Sequence, residues 1–332
     1  MTYTPTRAAA RPNRRSFCAA GALAGLLPSS TFAQEFPSKT VRIVAPFSPG
    51  ATSDLLGRAI GQKLATAWNV TVVNENKPGA GSVVGADFVA KSAPDGYTLL
   101  AAAAAIGVIP ALLPKLPFEL YRDLLPITLI GTVPFMMLVH PSVPANSVQE
   151  LVAYARANPG KINFGSGGNG TIPHMGGELL KMRAGLDMTH VPFKGGADSL
   201  TALLGGQIQM TIDGGPHVLG HVRAGTLRLL AVATLQRLPD FPGTPTIAES
   251  GFPGFESNAW QSLWVTGGTP PAIVRKISTD IMAILRQPDM IERIKAMGVT
   301  PIGGTPAEAE AFIRAETAKW GAVIKASGAK VG

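Results

Sequence analysis

Short apolar runs alternate along this chain with longer stretches in which apolar residues recur every three or four positions. Val41 to Ala45 reads as a strand, and Asp54 to Trp68 reads as a helix with Leu55, Leu56, Ala59, Ile60 and Leu64 on one face. Val70 to Val73 predicts the next strand, Asn74 to Gly81 a loop, Val83 to Lys91 a helix and Tyr97 to Leu100 a strand. Strand and helix in alternation predict an α/β fold, a mainly parallel sheet covered by helices on both faces.

The second half repeats the pattern. Ser147 and Glu150 form a capping box that opens a helix ending near Asn158-Pro159-Gly160, because the serine accepts from first-turn amides while the glutamate reaches back. Lys161 to Phe164, Gln207 to Ile212 and Leu227 to Ala233 read as strands. Thr269-Pro270 opens a helix to about Arg286, and Thr305-Pro306-Ala307-Glu308 opens another whose Phe312, Ile313, Trp320, Val323 and Ile324 share a face. Gly96 to Pro114 carries no charge, but Gly107, Pro110 and Pro114 break it, so a buried strand, loop and short helix explain it better than a membrane span.

Two strand-to-helix turns stand out. The first is Pro46-Phe47-Ser48-Pro49-Gly50-Ala51-Thr52-Ser53-Asp54, and the second is Gly165-Ser166-Gly167-Gly168-Asn169-Gly170-Thr171, with Pro173 at a first-turn position. In open α/β sheets such turns lie at the carboxyl edge of the strands, where ligands collect. Each presents unpaired amides at a helix N-terminus, with partial positive charge behind them. Neither contains Lys or Arg, which suits a small carboxylate better than a polyphosphate.

Composition narrows the classes. The 332 residues carry 29 Lys and Arg against 21 Asp and Glu, with 46% hydrophobic residues, 38 glycines and 28 prolines. That supports a turn-rich globular chain large enough for two domains. Arg7, Arg11, Arg14 and Arg15 lie in residues 1–33, which hold no acid; the remainder has no basic block of the kind a nucleic-acid surface needs. Residues 1–33 read as a secretory signal, with Asn13-Arg14-Arg15-Ser16-Phe17 resembling the twin-arginine type and cleavage expected after Ala33. Cleavage there leaves 299 residues without a cysteine, so disulfides and thiolate metal sites are excluded from the exported protein.

Other chemistry stays open as rival readings. Gly165, Gly167 and Gly170 satisfy G-x-G-x-x-G after a strand, with Asp187 as a ribose partner, which would make the chain an exported NAD(P)-dependent oxidoreductase. Asp213, His217 and His221 make a conceivable metal set, although the H-E-x-x-H arrangement is missing. His174 reads as a capping or packing residue, and Ser166 lacks the upstream glycine of a nucleophile elbow. No nucleophile, base and orienting acid stand together.

Further motifs carry a family likeness. Asn74-Glu75-Asn76-Lys77-Pro78-Gly79-Ala80-Gly81, Ala93-Pro94-Asp95-Gly96-Tyr97, Pro173-His174, Val191-Pro192-Phe193-Lys194-Gly195-Gly196, Leu203-Leu204-Gly205-Gly206-Gln207 and Pro245-Thr246-Ile247-Ala248-Glu249-Ser250-Gly251 follow one another along the chain. With the two turns, Trp260, Gly268-Thr269-Pro270 and Trp320, the sequence resembles the solute-binding proteins of tripartite tricarboxylate transporters, also called Bug proteins.

The resemblance implies a two-domain clamp of the type II periplasmic-binding-protein kind, each domain a mainly parallel sheet flanked by helices. Residues 34–136 with 255–332 would form the first domain and 137–254 the second. It implies a receptor rather than an enzyme, without cofactor or metal. Its partners would be a small carboxylate and either transporter membrane subunits or a sensor protein, and it would act as a monomer. Phe47 to Asp54 and Ser166 to Thr171 map onto the loops that hold a ligand carboxylate through backbone amides, partly by way of water. Lys194, Gly195, Gly196, Ala197 and Asp213 map onto the distal wall. At that wall Asp213 would favour an ammonium group; turned away, it would serve as a helix cap before Pro216. Ala51 stands where members usually carry a second glycine, and Ser262 where a glycine follows the tryptophan.

Overall fold

A computed structural model describes residues 1–4, 36–113 and 115–327. The signal segment with its twin arginines, and the cleavage point after Ala33, lie outside the described residues. The chain divides into Met1–Ser38 and Lys39–Gly332, and every helix and strand below belongs to the second unit.

The first wing is built as its pattern suggests. Strand β1 (Val41–Ala45) leads into helix α1 (Thr52–Trp68), then β2 (Val72–Asn76), α2 (Val83–Ala90), β3 (Thr98–Ala103) and α3 (Ala105–Leu112). β1 pairs in parallel with β2 on one side and β3 on the other. β2 begins later and runs further than its apolar residues suggest, taking in Asn74 to Asn76, which read as loop. The strand is the last in the sheet order, and an edge strand tolerates polar side chains that a central one would not. Asn76 uses its position there, donating from Nδ2 to the Phe47 carbonyl at 3.0 Å.

Strand β4 (Leu124–Val139) is the longest and joins the two wings. Its residues 124–134 pair antiparallel with β9 (Asn258–Thr266), and 135–139 pair antiparallel with β7 (Met210–Gly214). The second wing contains α4 (Val148–Ala157), β5 (Ile162–Ser166), α5 (Ile172–Ala184), β6 (Met188–Pro192), α6 (Gly196–Leu204), α7 (Pro216–Arg223) and β8 (Arg228–Val232). There β5 pairs in parallel with β6 and β7. The chain then returns through β9 to α8 (Pro271–Leu285), α9 (Pro288–Ala296), β10 (Thr300–Pro301) and α10 (Pro306–Ser327). Among the described residues the order β2-β1-β3-β9-β4-β7-β5-β6 forms one α/β sheet, with parallel wings on either side of the antiparallel β9 and β4.

The apolar cores follow the wings. Trp260, Trp264 and Trp320 are fully buried, and Trp260 meets Phe312 edge-on at 6.3 Å. Ser262 has a clear use here, its Oγ accepting the Trp264 indole N–H at 2.7 Å. In the second wing Met136, Leu138, Leu200, Leu203, Ile208 and Val232 pack together. Ser147 caps α4 by accepting from the Glu150 amide, and Thr305 does the same for Glu308 in α10. Gly96 to Leu113 forms β3 and the short α3, and among the described residues no helix is long and apolar enough to cross a membrane.

Candidate functional site

Strand direction decides where the loops meet. The carboxyl end of β3, at Ala103, is level with Gln261 of β9, which pairs with Gly131 of β4. The carboxyl end of β7, at Gly214, pairs with Phe135 of the same β4. The two parallel wings therefore point their carboxyl edges at each other across the middle of β4. The first loop leaves β1 at that edge and the second leaves β5 at the facing edge.

A cleft of about 260 Å³ touches both loops, the first through Phe47 only, since Ser48 to Asp54 lie outside its lining. Phe47 of the first loop lines it, as do Asn169, Gly170 and Thr171 of the second. Opposite them stand residues that pattern reading alone did not single out: Ala103 to Ala105 at the end of β3, then Ile109, Leu112 and Leu113 of α3 and its C-cap. Leu112 lies directly over Gly170, where a Cβ would come 2.3 Å from its Cδ1 and φ is +77°, so both space and backbone conformation call for glycine.

The first loop is braced from behind. The buried Asp54 carboxylate accepts the Gly50 amide and the Arg58 guanidinium, each at 2.9 Å. Burial alone would push Asp54 up, but these hydrogen bonds, a further one from Asn76 and the guanidinium charge hold its carboxyl below the usual 3.8. The Gly50 amide is thereby committed within the loop. Gly50 has φ +86°, whereas Ala51 sits at φ −62° and ψ 153°, an extended geometry in which its methyl group causes no strain. Ala51 cannot cap α1 through its side chain, so the amides of Thr52 to Asp54 lack a capping side chain. Pro49 is exposed, Thr52 half-buried and Ser53 buried with its Oγ unpartnered.

The second loop is shorter than its glycines suggest, because Gly165 and Ser166 belong to β5 and continue its pairing with β6. Ser166 Oγ lies 2.7 Å from His190 Nε2 and accepts the Gly168 amide at 3.2 Å. His174 Nδ1 accepts the Gly170 amide at 3.1 Å, which fixes its other nitrogen as the protonated one. Burial lowers the His174 pKa to about 4 and that of His190 to about 3, so both rings are neutral at pH 7. Thr171, the N-cap of α5, turns its Oγ1 back to the Gly168 carbonyl at 2.8 Å instead of capping. With Pro173 lacking an N–H, the first turn of α5 is left open to the cleft.

A third loop, Phe193 to Gly195, brings the predicted distal-wall residues beside the second. A Cβ on Gly167 would come 2.9 Å from the Gly196 nitrogen. Lys194 and Ala197 are exposed, while Gly195 and Gly196 are half-buried. Asp213 is buried beside them, with Oδ1 accepting the Gly214 amide at 2.8 Å and Oδ2 3.7 Å from His217 Nε2. The Asp213 carboxylate raises the His217 pKa against the opposing effect of burial.

Two rival readings fail on placement. Asp187 precedes β6, and its carbonyl accepts the Gly160 amide at the amino edge of the strands, the opposite end from the second loop. It therefore cannot reach a ribose held there, and the dinucleotide reading of Gly165 to Gly170 is withdrawn. His221 Nδ1 lies 3.1 Å from Thr226 Oγ1 at the far end of α7, so Asp213, His217 and His221 do not converge. Among the described residues no three His, Cys, Asp or Glu side chains are grouped to hold a metal.

Known proteins resemble this chain in sequence and fold. Residues 56–329 match the family described as the tripartite tricarboxylate transporter family receptor. The chain is 34% identical over 301 residues to Protein BugT of Bordetella pertussis, covering 90% of this chain and 92% of that one. An R. palustris protein solved with adipate is 33% identical with a TM-score of 0.81, covering 90% of this chain and 100% of its own. MatC from Rhodopseudomonas palustris with bound malate is 30% identical with a TM-score of 0.77, covering 87% and 100%.

Proposed function

The chain belongs to the tripartite tricarboxylate transporter receptor family, and from that membership we propose that it captures a small organic carboxylate between its first and second loops, in the periplasm and without turnover. One observation carries the reading: helices α1 and α5 begin at facing strand edges, and neither N-terminus is capped by its N-cap side chain. Uncapped amides backed by a helix dipole stabilise an anion without any cationic side chain. The relatives with bound adipate and malate support the same ligand class.

Residues 34–136 with 255–332, and residues 137–254, are proposed as two lobes that close on the ligand. The support is β4, whose pairing passes from β9 to β7 between Pro134 and Phe135. A ligand touching both lobes would favour the closed arrangement by its differential contacts. In this account the protein is exported by its first 33 residues, acts as a monomer and hands its cargo to membrane subunits or a sensor.

Thermal denaturation of the mature protein against dicarboxylates, aromatic acids and amino acids tests the reading. A true ligand at a hundredfold excess over Kd adds about 2.7 kcal/mol of stability. A carboxylate-dependent rise in Tm with the ligand recovered unchanged is the expected outcome. Chemical conversion of the ligand, or no response to any carboxylate, contradicts it.

A further inference from the structure

The side chains that line the cleft are polar at one end only. Asn169 and Thr171 bring a side-chain amide and a hydroxyl, whereas the side chains of the wall made by Ala104, Ala105, Ile109, Leu112 and Leu113 are all apolar, and no lining residue carries a charge. We infer that the ligand is a monocarboxylate with an apolar body, an aliphatic or aromatic acid; this rests on the receptor reading and narrows it.

Charge placement supports the choice. A second carboxylate, or an ammonium group, set against that wall would meet no charged or hydrogen-bonding side chain, and burying a charge in that way is far costlier than burying methylenes. The carboxylates near the loops already have partners: Asp54 pairs with Arg58 at 2.9 Å, and Asp213 accepts the Gly214 amide at 2.8 Å. Lys194 is exposed and lies outside the cleft lining.

A separate observation points to a ligand at this place. Gln261 is 3% exposed, and its Oε1 has no hydrogen-bond partner. It pairs with Ala103 and lies two residues from Ala259 on the same face of β9, and both alanines line the cleft. Gln261 lies just behind the cleft lining, and buried side-chain amides are normally satisfied, so its unpartnered Oε1 leaves a polar group next to the site. Turned about its terminal bond, the Gln261 amide would add a side-chain N–H donor to a carboxylate oxygen.

Isothermal titration of the mature protein with acetate, butyrate, hexanoate, benzoate, adipate, malate and leucine tests the inference. Affinity should rise about fourfold per methylene from butyrate to hexanoate, and hexanoate should bind at least tenfold more tightly than adipate, malate or leucine. Leu113→Lys, which sets a cation on the half-buried wall, should shrink the hexanoate-to-adipate ratio at least tenfold. Tighter binding of adipate or malate than hexanoate by the wild type, or a flat series, overturns the inference and leaves the receptor reading standing. Failure of all these acids to bind overturns the receptor reading, and the inference with it.

Discussion

The imidazole of His174 stacks on that of His190, with ring centroids 3.8 Å apart and 13° from parallel; His174 bonds Gly170 in the second loop and His190 bonds Ser166 at the end of β5. Two neutral rings tolerate this contact, and two charged ones would repel. Well above pH 6.5 neither ring is charged in the folded or the unfolded chain, so the arrangement costs little in protonation. As pH falls towards 4 the unfolded chain takes up protons that the folded chain resists, because burial holds His174 at about 4 and His190 at about 3. Each histidine then removes up to about 1.4 kcal/mol of stability per pH unit. Urea denaturation at pH 7, 6, 5 and 4 should show this fall, and a His174→Phe/His190→Phe variant should show a shallower one. Parallel profiles would contradict the assignment.

Gly167 sets the spacing between the second and third loops. A Cβ there would approach the Gly196 nitrogen at 2.9 Å and the Gly195 carbonyl carbon at 3.1 Å, both backbone atoms that cannot swing aside. Gly167→Ala is therefore expected to weaken ligand binding at least tenfold, and Gly167→Glu to abolish it by adding a like charge. Titration of both variants checks this; wild-type affinity in either would remove the second loop from the site.

Asp54 ties the first loop to α1. Removing its carboxylate in Asp54→Ala frees the Gly50 amide and leaves Arg58 with Asn76 Oδ1 but no carboxylate, a loss of about 2 kcal/mol for hydrogen bonds to a charged group. The carboxyl is held below 3.8, so its contribution is present above that pH and disappears as pH falls. Chemical denaturation at pH 7 should show the loss, and ligand affinity should fall as the loop loosens. An unchanged midpoint would contradict the bracing role.

The last helix supplies a control away from the cleft. Thr305 Oγ1 accepts the Glu308 amide at 3.3 Å, and Glu308 Oε2 accepts the Thr305 amide at 2.7 Å. Thr305→Ala should cost about 1 kcal/mol, read as a lower denaturation midpoint, with ligand affinity unchanged. A change in affinity without a change in stability would contradict this separation.

What the sequence disclosed depended on the kind of signal each element carries. α1 and α10 have long apolar stripes and clear starts, so they are legible from periodicity, and both loops are legible because glycine and proline crowd into them. β4 is not legible. It is buried on both faces, so its polar residues do not alternate, and Pro126, Gly131 and Pro134 break the run. The structure accommodates Pro126 and Gly131 beside register shifts in the pairing with β9. Of the site, the glycine-rich end could be read from loop composition. The apolar wall could not, since Ala105 to Leu113 looks like any short buried helix until the topology sets it opposite Gly170. The His174 and His190 stack leaves no sequence signal, because it depends on β6 lying beside β5.

In the proposed function two loops, one at each facing strand edge, hold the same carboxylate. Amide chemical shifts of isotopically labelled mature protein, followed during titration with hexanoate, test it most directly. Signals from residues 47–54 and from residues 166–172 should move together and report one dissociation constant. Movement in only one loop, or two constants that differ, would contradict the account.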